Sequence, residues 1–163
     1  MSKFIKAALA SSVLAASVMG ANAAQAATAS ADARANILQQ VTVTSDGSDL
    51  DFGTIVTGAT ASSVVISSAG ALTCGTGLVC SGTTSAAGFD VTGTTGETVP
   101  VSSDSSVTLT GPSDTMSASL TPSASTITLD GTDGFTVGGT LSVGANQADG
   151  AYVGTFGVTV NYQ

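Results

Sequence analysis

The sequence predicts an all-β sandwich on three observations. Beyond the first 26 positions, apolar residues recur with period two, the spacing that puts alternate side chains on one face of an extended strand. Turn-forming residues interrupt that pattern at short, regular intervals. Helical periodicity is missing from the same stretch, whose composition is mostly Gly, Ser, Thr, Val and Ala. So much Gly, Ser and Thr would suit a disordered chain, but the persistent alternation is what a packed sheet requires.

Taken in chain order, residues 1–26 read as a secretory signal peptide. Lys3 and Lys6 supply a positive start, residues 7–19 an apolar run, and Ala24-Gln25-Ala26 a small-x-small cleavage site, with Ala21-Asn22-Ala23 as a competing one. The apolar run is too short and too rich in Ala and Ser to hold a bilayer span. The expectation is export through the Sec pathway, no membrane span after cleavage, and about 137 remaining residues, enough for one domain with a core.

Residues 27–40 follow as an N-terminal extension. Ala29, Ala31, Ala33, Ala35 and Ile37 share one face of an extended segment, and Ser30, Asp32, Arg34 and Asn36 share the other. One reading is an alanine-rich flexible leader. The other is a strand that adds to a sheet edge through main-chain bonds, with small side chains in pockets. Alanine also favours helix, yet the period here is two.

The sandwich domain is expected over residues 41–163. Its strands are expected near 41–44, 50–55, 63–67, 71–74, 88–92, 98–102, 106–110, 116–121, 126–130, 135–143 and 151–162. Between them stand Asp46-Gly47, Thr57-Gly58, Gly111-Pro112, Thr121-Pro122, Asp149-Gly150 and the turns opening at Gly93 and Gly131. In such turns glycine permits positive φ, aspartate bonds its own backbone and proline sets φ. Cys74 and Cys80 are close enough, in an exported chain, to be expected as a disulfide that closes a small local loop. A metal or redox site would lack partners, since there is no His and no Cys-x-x-Cys. At the end of the chain Tyr152, Phe156, Val158, Val160 and Tyr162 share one face of a ribbon, and Val153, Thr155, Gly157, Thr159 and Asn161 share the other. The apolar face must be covered by something.

Charge and side-chain inventory narrow the function. After cleavage Arg34 stands alone against eleven acids, a formal charge of −10, which repels nucleic acid and anionic membrane. An enzyme is not expected, because without His, with Lys only in the signal segment and with one Arg there is no ordinary general base for the many hydroxyls. A paired-carboxylate glycosidase would find little sugar-stacking surface in a chain without Trp. The acidic clusters Asp46/Asp49/Asp51 and Asp130/Asp133 do not match the twelve-residue calcium loop, so they are expected to build turns, and no cofactor is expected.

Leu50-Asp51-Phe52-Gly53-Thr54-Ile55, Phe89-Asp90-Val91-Thr92-Gly93, and the stretch from Leu141 to Gln147 leading into Gly150 and the terminal ribbon resemble the DUF4402 family. These are exported bacterial proteins, often of alphaproteobacteria, and the resemblance covers nearly the whole mature chain. The terminal ribbon is also similar to that of spore-coat-U-type proteins and chaperone–usher fimbrial subunits. In the latter the last strand ends on a penultimate aromatic and follows a glycine fourteen residues from the end, the places of Tyr162 and Gly150. The resemblance implies an immunoglobulin-like antiparallel β-sandwich lacking one strand and completed by donor-strand exchange. A periplasmic chaperone serving an outer-membrane usher would fill the gap first, and the extension of the next subunit would replace it. The implied protein is a pilin-like structural subunit of a Gram-negative cell-surface fibre or coat, a head-to-tail homopolymer that passes through the periplasm. Ala29, Ala31, Ala33, Ala35 and Ile37 would then be donor positions, and Gly150, Tyr152, Phe156, Val158, Val160 and Tyr162 the acceptor or chaperone-binding strand. Four alanines bury little area each, at ~25 cal/mol per Å², so the groove would have to be shallow. The alternative is a self-complete secreted sandwich acting as an adhesin or glycan-binding surface protein.

Overall fold

The computed structural model describes residues 26–163, so the signal-peptide expectation falls, Ala26 apart, outside the described residues. Among the described residues every regular element is a strand, and no helix is long and apolar enough to cross a membrane. The strands are β1 (Thr42–Ser45), β2 (Thr54–Val56), β3 (Ser62–Ile66), β4 (Leu72–Cys74), β5 (Val79–Ser81) and β6 (Ala87–Thr92). The second half contributes β7 (Thr98–Ser103), β8 (Ser106–Thr110), β9 (Thr115–Pro122), β10 (Thr126–Thr128), β11 (Asp133–Val143) and β12 (Val158–Val160).

All pairings between these strands are antiparallel, and they form a β-sandwich. The long strand β11 organises the larger sheet. Its first half pairs with β6, which carries β1, and its second half pairs with β3, which carries β4. Residues 139–142 pair with both β3 and β9, so β9, with β8 beyond it, lies on the opposite edge from β3. The smaller sheets are β10-β7-β12 and β2-β5. Gly138 lets β11 pass close to the turn after β3. A Cβ there would stand 2.6 Å from backbone atoms of Ser67 and Ser68, which cannot move aside.

The core is mostly aliphatic, with Phe52 and Phe135 among it. Val64, Ile66, Val91, Val99, Leu129, Val137 and Leu141 are the largest fully buried side chains, and no buried polar or charged residue stands among them. Each buried Val, Leu or Ile contributes about 1.5–3 kcal/mol relative to exposure, so alternate apolar residues from both layers hold the sandwich closed.

The compact body is Asn36–Gln163. Residues 26–35 hold no strand and are exposed.

Outside the terminal ribbon the structure differs from three sequence expectations. A strand is missing from the prediction at Val79–Ser81, where β5 pairs with β2. The Cys74–Cys80 disulfide is present, with Cα atoms 5.9 Å apart, but it joins β4 of the large sheet to β5 of the two-stranded one. It is therefore a tie between sheets, more than a local loop closure. The strand expected at 50–55 is cut short because Gly53 adopts a φ of +71°, and before it only an isolated bridge, Asp51 to Ser85, engages the ladder.

Candidate functional site

The terminal ribbon runs antiparallel along β7 and then β8. Val158, Thr159 and Val160 face Ser103, Ser102 and Val101. Beyond the ladder the Asp104 amide donates to the Gly157 carbonyl at 3.0 Å, and the Gly157 amide donates to Asp104 Oδ2 at 2.7 Å. Val153 and Thr110 exchange amide–carbonyl bonds of 3.1 and 2.8 Å. The strand expected over 151–162 is thus regular only at β12. Between Val153 and Gly157 the partner chain turns from β8 into β7 at Asp104–Ser105, and the ladder skips.

The period-two reading of the ribbon's faces agrees with the observed burial. Val160 is buried and Tyr152, Phe156, Val158 and Tyr162 are half-buried, while Val153, Thr155, Gly157, Thr159 and Asn161 are exposed. Phe156 meets Phe89 edge-on at 6.2 Å, and Phe89 stacks on Phe135 at 5.2 Å. At one end of the ribbon the Tyr162 hydroxyl donates to the Gln39 carbonyl at 2.8 Å and accepts from the Thr94 amide at 2.8 Å. The Gln39 amide in turn donates to Thr94 Oγ1 at 2.6 Å. The penultimate aromatic therefore holds the point where the N-terminal segment joins the compact body. At the other end the Tyr152 hydroxyl donates to the Ala148 carbonyl at 2.8 Å and accepts from Gln147 Nε2 at 3.1 Å. Gly150, at φ +144°, begins the ribbon beside Pro112.

The ribbon has a free edge. Val153 and Gly157 direct their backbone groups toward Thr110 and Asp104, so the alternating residues Gly154 and Phe156 direct theirs the other way. Among the described residues no backbone hydrogen bond engages Gly154, Thr155 or Phe156, and β12 pairs with β7 alone. The segment after β1, itself an outer strand, lines a common hollow with this edge through Ser45, Ser48, Asp49, Leu50 and Asp51. At the start of the ribbon an open cleft of 740 Å³ runs between residues 50–57 and residues 147–152, lined also by Leu109, Met116 and Leu141. A second hollow, with Phe89 and Phe156 in its wall, continues it along the ribbon. Asp49, Asp51 and Asp149 line the two hollows and are exposed.

The donor candidates sit differently. None of Ala29, Ala31, Ala33, Ala35 and Ile37 is in a strand, and all are exposed, Ile37 at 89%. The turn role expected for the aspartates is visible in both clusters: Asp133 Oδ2 accepts the Asp130 amide at 2.7 Å. Asp46 Oδ1 accepts the Ser48 amide at 2.7 Å, and Asp51 Oδ1 accepts the Gly53 amide at 2.8 Å. Sequence reasoning missed the opposite wall of the cleft and the Gln39–Thr94 pair that holds Tyr162. The alternation of Leu50 and Phe52 was a signal for the first. Nothing local in the chain points to the second, 55 residues apart.

A family profile described as a domain of unknown function, DUF4402, matches residues 40–162. The chain belongs to the DUF4402 family. No curated protein and no solved structure matches it significantly. The DUF4402 match begins one residue after Gln39 and includes both walls of the cleft and the whole terminal ribbon except Gln163.

Proposed function

We propose that this DUF4402 protein is an exported structural subunit that assembles with copies of itself into a cell-surface fibre or coat by strand donation, and is not an enzyme. The observation that carries the reading is the free edge of the terminal ribbon beside a hollow lined by Leu50, Phe89, Leu109 and Phe156, in a chain whose residues 29–37 alternate with period two and hold no strand. An unpaired edge over apolar side chains is a liability that a complementary strand removes, by main-chain bonds and side-chain burial together. The body receives its N-terminal segment beside Tyr162, whereas the cleft opens at Tyr152, about 30 Å away along an extended ribbon. Donation from one copy to the next is then head to tail, and such contacts propagate instead of closing. A periplasmic chaperone and an outer-membrane usher fit the same logic, since an open edge needs cover before assembly.

The test is a truncation that leaves the Tyr162 contacts intact. Removing residues 27–37 spares Gln39 and should abolish heat-resistant multimers of sheared surface material on a denaturing gel, while the domain is still exported. Multimers that persist in the truncated protein would overturn strand donation. Specific glycan binding by a monomer that never forms multimers would favour an adhesin.

A further inference from the structure

We infer that Arg34 of one copy sets the register of the donated strand by meeting the acidic rim of the next copy's cleft; the inference rests on the strand-donation reading above. Arg34 is the only basic residue of residues 26–163, against eleven acids. It lies on the polar face of the segment, opposite Ala29, Ala31, Ala33 and Ala35. Its one ionic contact among the described residues is Asp32 Oδ2 at 3.0 Å, with both side chains more than four-fifths exposed. An exposed pair so close in sequence contributes little and exchanges readily for a better partner.

The acceptor offers such partners. Asp49, Asp51 and Asp149 border the cleft. Asp51 is engaged with the Gly53 amide, but the carboxylates of Asp49 and Asp149 make no hydrogen bond among the described residues. A strand laid against the free edge turns one face to the floor and the other to solvent. With its alanines over Leu50, Phe89 and Leu109, Ser30, Asp32, Arg34 and Asn36 face solvent, and the long Arg34 side chain brings the one cation of the segment within reach of the rim. Four nearly identical alanines specify the register only weakly, leaving Ile37 as the one large side chain on that face. One cation meeting a fixed acidic rim adds a second mark to that of Ile37. It also gives the alanine face a reason: large side chains already occupy the floor, so small groups fit a shallow bed.

The experiment uses the full mature chain and measures multimer formation by light scattering at several protein and salt concentrations. Arg34→Glu should weaken assembly about tenfold, and parent assembly should weaken as salt rises, since rim charges are screened. Arg34→Ala should assemble less well than the parent and lose most of the salt dependence. Acceptor copies carrying Asp49→Arg and Asp149→Arg should recover assembly with Arg34→Glu donors, and circular dichroism of each variant reports the fold. Assembly of Arg34→Glu at parental strength would overturn the register role and leave strand donation to the truncation of residues 27–37. Loss in Arg34→Glu without recovery by the acceptor reversal would overturn the placement of Arg34 at this rim.

Discussion

Replacing Tyr162 by Phe deletes a single oxygen and tests how the terminal ribbon is held. That oxygen accepts from the half-buried Thr94 amide and donates to the exposed Gln39 carbonyl, both at 2.8 Å. A neutral hydrogen bond of this kind contributes about 0.5–1.5 kcal/mol net, so losing two costs about 1.5 kcal/mol once the freed groups regain partial contact with water. The ring stays in place, so no cavity term is added. With an unfolding entropy of about 2.1 cal/mol/K per residue, a body the size of Asn36–Gln163 should melt about 5 °C lower. Thermal denaturation followed by circular dichroism gives the shift, and hydrogen exchange at the Thr94 amide gives its location. A melting point within 1 °C of the parent, with Thr94 exchange unchanged, would refute the view that this hydroxyl anchors the ribbon to the base of the N-terminal segment.

Other substitutions follow from the same geometry. Replacing Cys74 and Cys80 together by Ser should cost about 2 kcal/mol in chemical denaturation, the chain-entropy value for so short a loop, with retention of the fold. Gly138→Ala should cost about 1–3 kcal/mol, because its methyl would meet the backbone of Ser67 and Ser68 and force β11 away from the turn after β3; an unchanged denaturation midpoint would count against that crossing. Asp104→Ala should remove the acceptor for the Gly157 amide and cost about 1 kcal/mol, seen as faster exchange at Gly157 with little change at Val64.

Much of the fold was legible residue by residue. The alternation of Phe135, Val137, Leu141 and Val143 marks β11, and each of these residues is buried. The Asp46-Gly47 turn behaves as its chemistry requires, with glycine at φ +94° and the carboxylate on a local amide. The short strand β5 escaped because Val79, Cys80 and Ser81 lie inside a glycine-rich loop, where three residues give too little period to read. Of the candidate site, only the ribbon's face was legible. Gln39, Thr94 and the wall from Leu50 to Phe52 come to it from distant parts of the chain.

Side-chain period and turn chemistry are local properties, and they were enough to specify an all-β chain, a ribbon with one apolar face, and a second segment alternating with the same period. Which strand edges stay unpaired is a property of the assembled sheets. β7 and β8 take one edge of the ribbon, and the path of residues 45–57 leaves the other open. The ribbon's partners are chosen by long-range packing against a shared core, and no local window of the sequence contains both Val160 and Val101 or both Val153 and Thr110.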